Sequence, residues 1–389
     1  MLFYFLFLVI ITFIFIEIIH YLRQNSPLVL KPKEYKKIIL DSHHKYITLV
    51  EIKNLHKRME IMIPSFDVYP KIIGLKNNES IKFDTNIKAL HPDIEEKEKR
   101  NNYWTAYILK GQKTTFVEIE IGFEIKDLQL DDIKSLWLEI EWVNYGPFGF
   151  MKRFDGFVVP TFFNLPKVNP FNKSLVDPIK THILGTLDDP IDVLKYYIPK
   201  NYLSTDILTI GESPLAIMQG KYVDYRNVKA SILSRLLCKG FHPTSSLATA
   251  CGMQSLVNLS GPSRVIISWI IGGIFKFLGV KGIFYRLAGE QARLIDDITG
   301  TTPPYDKSIV LGPTDTLNFC LKASKELKIN VAVVDVNDLG RVKVLSTNNV
   351  NKNELIKRAL SSNPAGNANQ QTPLVLIRSD QLSLESRDS

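Results

Sequence analysis

The chain has 389 residues, 23% of them charged and 45% hydrophobic, which excludes a largely disordered protein and favours two domains over a single core. The net charge of +8 comes from Lys and Arg interspersed with Asp and Glu, without a long basic run or an RNA-binding motif, so we predict no nucleic-acid partner. The three cysteines lack the spacing of a zinc site or a disulfide framework, which indicates a reducing compartment.

The first predicted element is an apolar segment at residues 2–22. Residues 2–19 are apolar except for Thr12 and Glu17, and about 20 helical residues cross a hydrocarbon core of about 30 Å. The features of a cleavable signal peptide are missing, so we predict an uncleaved transmembrane anchor over residues 1–22 rather than a buried core helix. Basic residues follow the segment, and the positive-inside bias then predicts a single-pass membrane protein with its soluble part cytoplasmic.

The next region, residues 35–150, shows the period-two alternation of β-strands. Six runs, including TTFVEIEIGFE and SLWLEIEWV, predict an all-β, sandwich-like domain. His43, His44 and His56 have no carboxylate or Cys at ligand spacing, so packed or solvent-facing histidines are favoured over metal ligands. Residues 151–176 contain a Pro- and Asn-rich stretch and are predicted to be a linker.

The remaining chain alternates between strand and helix patterns. This alternation predicts an α+β or α/β domain over residues 177–380, followed by a polar tail over residues 381–389. The segment RVIISWIIGGIFKFLG is apolar around most of its circumference but contains two glycines and a lysine. We predict a core or dimer-packing helix there, with membrane insertion and a membrane-surface helix as the alternatives.

Two acidic clusters flank the short β-like runs of this domain. The first comprises Glu290, Asp296 and Asp297, and the second comprises Asp335 and Asp338. Carboxylates at strand ends are the hard oxygen ligands that divalent metals prefer. The pattern therefore predicts metal-assisted chemistry on a phosphate.

The residues around these clusters resemble a known family. The segment INVAVVDVNDLGR and the preceding GPTDTLNFCLKASKELK are similar to the metal-binding strand and helix of the F420-0:gamma-glutamyl ligases. DPIKTHILGTLDDPIDVL and TDILTIGESPLAIMQGK resemble the N-terminal strand, helix and strand of that family. The resemblance covers residues 177–378 and says nothing about the first 150. It implies a ligase-like α+β domain, a membrane-anchored member of the cyanobacterial type, and a homodimer.

The resemblance also implies metal ligands for Mg²⁺ or Mn²⁺. Asn337 and Asp338 fall at the end of the metal-binding strand, with Asp335 as the alternative if the register shifts. The segment AGEQARLIDDITG lies where the family has an Ala-Gly-x-Asp turn that supplies a further carboxylate. Adjacent acids diverge on either a strand or a helix, so one of the pair is the ligand. We select Asp297, with Glu290 as the alternative.

A nucleotide site is implied in the same way. By resemblance, Thr181, Glu212, Ser213 and Gly220 face the phosphates of GTP. The family carries a lysine at the position that Ile217 occupies here. This difference removes a point charge and a hydrogen-bond donor from the phosphate site.

An amide-rich loop, NPAGNANQQTP, precedes the last predicted strand. Asn363, Asn367 and Thr372 are predicted to bind the small-molecule acceptor or L-glutamate, because amide and hydroxyl groups both donate and accept hydrogen bonds. The alternative is a polar loop without a ligand.

The resemblance as a whole implies a carbon–nitrogen ligase. Its reaction is a GTP- and divalent-metal-dependent amide ligation of L-glutamate to a carboxylate acceptor through an acyl phosphate. Because Ile217 replaces the lysine and fold does not fix function, the alternative is a non-catalytic nucleotide- or cofactor-binding protein, or a membrane scaffold, on the same fold.

Overall fold

The structure is a computed structural model that divides into two compact units. It describes residues 3–5, 7–8, 11–12, 15, 26–40, 43–74, 81–93, 103–124, 133–161, 165–166, 175–243, 245–296, 303–336, 342–365 and 371–379. The first unit comprises Met1–Lys71, Asn77–Asp127 and Leu138–Gly156. The second comprises Ile72–Lys76, Leu128–Trp137 and Phe157–Ser389.

The strands of the first half of the chain form two sheets. They are β1 (Leu28–Leu40), β2 (His43–Asn54), β3 (Ile61–Ile63), β4 (Phe66–Ile73), β5 (Phe83–Leu90), β6 (Tyr107–Leu109), β7 (Thr114–Glu124), β8 (Ser135–Gly146) and β9 (Gly149–Val159). One sheet has the order β1-β2-β7-β5 and is antiparallel throughout. The other has the order β4-β8-β3-β6, with β9 beside β8.

Strand β2 shows why these segments form half-buried strands. Successive side chains of a strand point to opposite faces, and in β2 every second residue from Tyr46 to Ile52 is buried while the residues between these positions are more exposed. Strand β7 repeats the alternation with Val117, Ile119 and Ile121 buried. The buried residues of these strands therefore lie on one face of the sheet.

The second unit combines a mixed sheet with helices. Its strands are β10 (Val176–Ile179), β11 (Ile207–Gly211), β12 (Tyr222–Asp224), β13 (Ser308–Val310), β14 (Asn330–Val336), β15 (Val342–Thr347) and β16 (Leu374–Ile377). Its helices are α1 (Pro190–Tyr197), α2 (Glu212–Met218), α3 (Ile232–Leu237), α4 (Ala250–Ser260), α5 (Pro262–Phe277), α6 (Ile283–Ala288), α7 (Gln291–Leu294), α8 (Thr316–Leu327) and α9 (Asn353–Leu360).

The sheet order in this unit is β10-β16-β11-β14-β15. Strands β11 and β14 are parallel, and the other neighbouring pairs are antiparallel. Side chains from α1 and α8 pack with Leu208 and Ile210 of β11 in one cluster. Ile207 of β11 packs with Ile356 and Leu360 of α9 in another. The consecutive apolar residues of β11 are thus explained by burial on both faces of the sheet.

Helices α3 to α7 form a separate helical segment between β12 and β13. Leu256 of α4, Val265 of α5, Phe284 of α6 and Ala292 of α7 are buried in a common cluster. The segment therefore has an apolar core of its own within the second unit.

Helix α1 provides a local test of the fold. Asp189 is its N-cap and accepts hydrogen bonds from the backbone N–H groups of Ile191 and Asp192, at 2.9 and 3.1 Å. Pro190 occupies the first turn, where a missing N–H costs nothing.

We expect Asp189→Ala to lower the free energy of unfolding by about 1 kcal/mol, because two helix N–H groups lose their acceptor. Urea unfolding would measure the difference, with Asp306→Ala, an exposed acid outside any helix, as the control.

The predicted transmembrane helix requires a correction. A single span needs about 20 consecutive apolar residues in one helix, and none of the helices within the described residues is long and apolar enough to cross a membrane. The predictions of an anchor at residues 2–22 and of a single-pass membrane protein are therefore wrong by this criterion. Most of residues 1–25 lie outside the described residues. The fold that the structure shows is mixed α/β with several antiparallel sheets.

Candidate functional site

The candidate site lies at the edge of the mixed sheet where β11 and β14 end. Gly211 pairs with Val334 in the parallel register of these strands, so the residues that follow, Glu212 and Asp335, reach the same edge. Strand β16 begins there too, because the backbone N–H of Gly211 donates to the carbonyl oxygen of Pro373 at 3.0 Å. The carboxyl ends of parallel strands are a common location for ligand sites in α/β folds.

A third carboxylate joins this edge from a different part of the chain. Asp296 forms backbone hydrogen bonds with Val310 in both directions, each 2.8 Å long, which fixes its position beside β13. The hydroxyl of Ser213, in the first turn of α2, donates to Oδ2 of Asp296 at 2.7 Å. Two segments that are 83 residues apart in sequence are thereby connected at the site.

Burial and mutual repulsion keep these acids from ionising readily. Burial raises the pKa of Glu212 to about 10, and the nearby carboxylates of Asp335 and Asp296 contribute to the increase. Burial also raises the pKa of Asp296, although the hydrogen bond from Ser213 opposes the rise. Oε2 of Glu212 is shielded from solvent and has no hydrogen-bond partner among the described residues. At neutral pH a neutral Glu212 carboxyl is thus favoured.

Two basic side chains partly offset the negative charge. Lys343 of β15 pairs directly with Asp335 across the antiparallel β14–β15 register. Burial raises the pKa of Asp335, while Lys343 and Arg293 lower it. The group therefore combines three carboxyls with two cationic side chains, and its charge depends on pH and on any bound ion.

The donor set is suited to a hard cation. The carboxyls of Glu212, Asp296 and Asp335 and the hydroxyl of Ser213 are oxygen donors of the kind that Mg²⁺ and Mn²⁺ prefer. Within the described part of the chain, no group of three or more His, Cys, Asp or Glu side chains is placed to hold one metal ion. This arrangement is compatible with Mg²⁺ sites, which typically use one or two carboxylates and complete the shell with water and substrate phosphates.

Several residues that the sequence nominates lie near this edge. Glu212 and Ser213 are part of the acid cluster itself. Thr181 is buried, and its N–H donates to the carbonyl oxygen of Gln371 at 2.9 Å. Thr372, the next residue, lies between that contact and the Pro373–Gly211 hydrogen bond. The structure thus brings Thr181, Thr372 and Glu212 to one end of neighbouring strands.

Gly220 has a visible structural role. Its φ is +67°, and an added Cβ would lie 3.3 Å from Cγ2 of Thr186. The N–H of Gly220 donates to Ile217 and that of Lys221 donates to Ala216, so Gly220 turns the chain at the end of α2. Its predicted contact with a nucleotide stays a prediction. Asn363 also adopts a positive φ, +48°, in the turn after α9.

Four nominated residues lie outside the described residues. They are the predicted metal ligands Asp297, Asn337 and Asp338 and the predicted substrate contact Asn367. Asp297 directly follows Asp296, and Asn337 follows the last residue of β14. Their roles stay predictions. Glu290, the alternative to Asp297, is exposed.

Lys343 and Arg293 belong to the site, although no sequence pattern pointed to them. Lys343 faces Asp335 only because β14 and β15 pair in this register, and a sequence pattern does not reveal a cross-strand partner. Arg293 lies in the four-residue helix α7 and also places its guanidinium carbon 6.0 Å from the ring centroid of Tyr285. Arg293 lies close to Asp296 in the sequence AGEQARLIDD, and this proximity is the signal that could have indicated a role at the site.

Comparison with solved structures gives weak overall similarity. A Bordetella pertussis protein named ApaA is 10% identical over a match that covers 35% of this chain and 96% of the ApaA chain, with a TM-score of 0.19. A protein from Archaeoglobus fulgidus is 9% identical, covers 34% of this chain and 100% of its own, and has a TM-score of 0.18. A FixG-related protein from Vibrio parahaemolyticus is 6% identical, covers 34% of this chain and 96% of its own, and has a TM-score of 0.17. These values carry no functional argument.

Comparison with sequence families is more informative. No curated protein sequence matches the chain. Residues 29–163 match the family model described as the N-terminal Ig-like domain of F420-0:gamma-glutamyl ligase. This region lies outside residues 177–378, so the match is independent of the resemblance noted in the C-terminal half. The match supports, at a coarse level, a relationship between this chain and the F420-0:gamma-glutamyl ligases.

Proposed function

We propose that the chain is a ligase that forms an amide bond between L-glutamate and a carboxylate acceptor, using GTP and a divalent metal. The acceptor carboxylate would take the γ-phosphoryl group and release GDP. The amine of glutamate would then attack the acyl carbon, form the amide and release phosphate. The reaction therefore needs a site that neutralises phosphate oxygens beside a carboxylate acceptor.

The observation that carries this proposal is the set of half-buried acids at the sheet edge, Glu212, Asp296 and Asp335. Withdrawing three neighbouring carboxyls from water without a cation is costly, as the raised pKa values of all three indicate. The match of residues 29–163 to a domain of the ligase family supports the choice of reaction class.

The residues of the chain have separable roles in this proposal. One or two of the carboxylates of Glu212, Asp296 and Asp335, completed by water and phosphate oxygens, would hold Mg²⁺ or Mn²⁺, which when bound supplies positive charge against the phosphate oxygens. Ser213 orients Asp296 through its 2.7 Å hydrogen bond. Lys343 is a cationic donor for a phosphate oxygen at the same edge. Thr181 and Thr372 provide hydroxyls close to the start of β16.

A second candidate is a non-catalytic nucleotide-binding protein. Ile217, at the position where the ligase family has a lysine, packs against the apolar cluster of Val158, Ile183 and Tyr305. An apolar side chain seated in this way supplies no donor to a phosphate. The observation favours loss of one phosphate contact and is compatible with binding without turnover.

The two functions differ in a measurable product. We expect the purified full-length chain, incubated with Mn²⁺, GTP and a panel of small carboxylates, to release GDP and phosphate only when L-glutamate is added, with an amide product visible by mass spectrometry. EDTA should abolish the release. Saturable, metal-dependent GTP binding without any glutamate-dependent product would instead select the binding protein, and absence of both metal and nucleotide binding would contradict both candidates.

A further inference from the structure

A cavity of about 410 Å³ lies in the helical segment, in a part of the second unit that the proposed ligase reaction does not use. Its volume falls in the range of about 300–1,000 Å³ that is typical of small-molecule sites. It is bordered by α5, by α6 and by the turn after α3, and its lining includes Phe241, Trp269, Phe284 and Tyr285. These aromatic side chains give the cavity mainly apolar walls.

The aromatic walls are held in place by specific contacts. The rings of Phe241 and Phe284 meet edge to face with centroids 4.8 Å apart, and Nε1 of Trp269 donates to the carbonyl oxygen of Leu237 at 3.2 Å. Gly272 allows α5 to approach Phe284, because an added Cβ would lie 2.8 Å from the Cβ of Phe284. The walls are therefore largely set before any ligand binds.

Glycine also leaves the cavity open on one side. Gly273 of α5 lines it, and a Cβ built there meets no heavy atom within 4 Å among the described residues. A helix interior normally disfavours glycine by about 1 kcal/mol relative to alanine. Glycine at position 273 therefore makes α5 less stable than alanine would, and it leaves unoccupied the space beside the cavity into which a side chain would project.

The charged residues of the cavity lining favour a negatively charged ligand. Lys276 and Lys281 both contribute to the lining, and no acidic residue belongs to it among the described residues. Both lysines are exposed, so their ammonium groups reach the surface while the aromatic rings lie at the apolar wall. An anionic head and an apolar body complement these two features together.

We propose that this cavity binds a small anionic amphiphile, with its apolar ring or chain against Phe241, Phe284 and Tyr285 and its acidic head at Lys276 and Lys281. Neither the acid cluster nor GTP takes part in this binding. The test is therefore made with the full-length chain in EDTA, so that failure of the ligase proposal leaves its outcome unaffected.

The probe is anilinonaphthalene sulfonate, an aromatic anion whose fluorescence rises in apolar sites. We expect saturable binding of one probe molecule per chain. Dodecanoate should displace it, whereas dodecyltrimethylammonium, with an alkyl chain of nearly the same length and the opposite charge, should not. Equal displacement by both compounds would overturn the assignment of an anion site, and absence of saturable binding would overturn the site itself.

Variants of α5 test the location. Gly273→Leu should weaken probe binding at least about tenfold by filling the cavity, while helix propensity predicts no loss of stability. Gly273→Ala, which adds only a methyl group, should retain most of the affinity. Unchanged binding to a folded Gly273→Leu protein would place the probe elsewhere, such as on the exposed apolar side chains of α5, and would overturn the proposal.

Lysine variants test the charge. Lys276→Gln and Lys281→Gln should each weaken the probe several-fold, about fivefold at low ionic strength, with the difference shrinking as salt is added. Lys322→Gln, an exposed lysine on α8, is the matched control and should change the affinity less than about twofold. Equal effects of the three variants would contradict the placement of the acidic head.

Discussion

Glu212→Gln is expected to reduce the affinity for Mn²⁺ by about 100-fold while increasing the stability of the metal-free protein above neutral pH. The substitution keeps the shape of the side chain but removes the ionisable group from the half-buried acid cluster. Metal binding requires the charged carboxylate, whereas the metal-free fold tolerates the neutral form better. The same residue therefore has opposite effects on the two quantities.

The sign of the pH effect follows from the raised pKa. Glu212 titrates near its ordinary value of 4.5 when the chain is unfolded and near about 10 in the folded protein. Between these values the folded state binds more protons, so its stability falls as pH rises, by at most about 1.4 kcal/mol per pH unit for one group. Between about pH 5 and about pH 8, Glu212 lowers the free energy of unfolding of the wild-type protein by up to about 4 kcal/mol. Glu212→Gln does not show this decrease.

Thermal and urea unfolding in EDTA, across this pH range, would measure the difference between the two proteins. Glu354→Gln on the exposed surface of α9 is the matched control and should follow the wild-type pH dependence. Calorimetry of Mn²⁺ binding in buffers of different ionisation enthalpy should detect release of about one proton from the wild-type protein and less from Glu212→Gln. Identical pH profiles for Glu212→Gln and wild type would show that Glu212 is not held neutral in the fold.

The acid cluster also shows how far the sequence could predict the site. Acidic pairs near strand ends drew attention to the segments that contain Asp296 and Asp335, whose carboxyls influence each other in the structure. Which acid of each segment faces the site depends on strand register, since a shift of one residue turns a side chain to the opposite face. The sequence provides no measure of that register. Lys343 illustrates the same limit, because its neighbour Asp335 is set by cross-strand pairing.

The fold shows a similar division between local and long-range information. Alternation in β2 and β7 is visible in the sequence because each strand has one buried face. The position of β16 between β10 and β11 is not visible in the sequence, because this pairing joins residues that are far apart along the chain. At residues 2–22 the apolar composition predicted a spanning helix, but none of the helices among the described residues is long and apolar enough to cross a membrane. For α5, a core or dimer-packing helix was predicted: Val265 is buried in the apolar cluster, whereas Ile270, Ile274 and Phe277 are exposed, so dimer packing stays a prediction.

Asp206→Ala is expected to lower the stability of the second unit by about 3–5 kcal/mol, which is the usual cost of breaking a buried ion pair. Asp206 precedes β11 and is 1% exposed. Its carboxylate accepts from the N–H groups of Leu203 and Ser379, at 2.9 and 3.1 Å, and from Nη1 of Arg378 at 3.4 Å. The alanine variant would leave these donors and the Arg378 charge without their acceptor at the end of β16.

Hydrogen exchange is the appropriate measurement, because the chain has two units and global unfolding need not be a single transition. Peptides from β11 and β16 should lose protection in Asp206→Ala, while peptides from β2 and β7 should keep theirs. Glu326→Ala, which breaks the solvent-exposed ion pair with Lys195, is the control and should cost less than about 1 kcal/mol.

Adding Arg378→Met to Asp206→Ala should recover part of the lost stability, because it removes the uncompensated charge and leaves an apolar side chain of similar length. A double variant as unstable as the sum of the single variants would show that the backbone contacts of Asp206, rather than its ion pair, secure the end of β16.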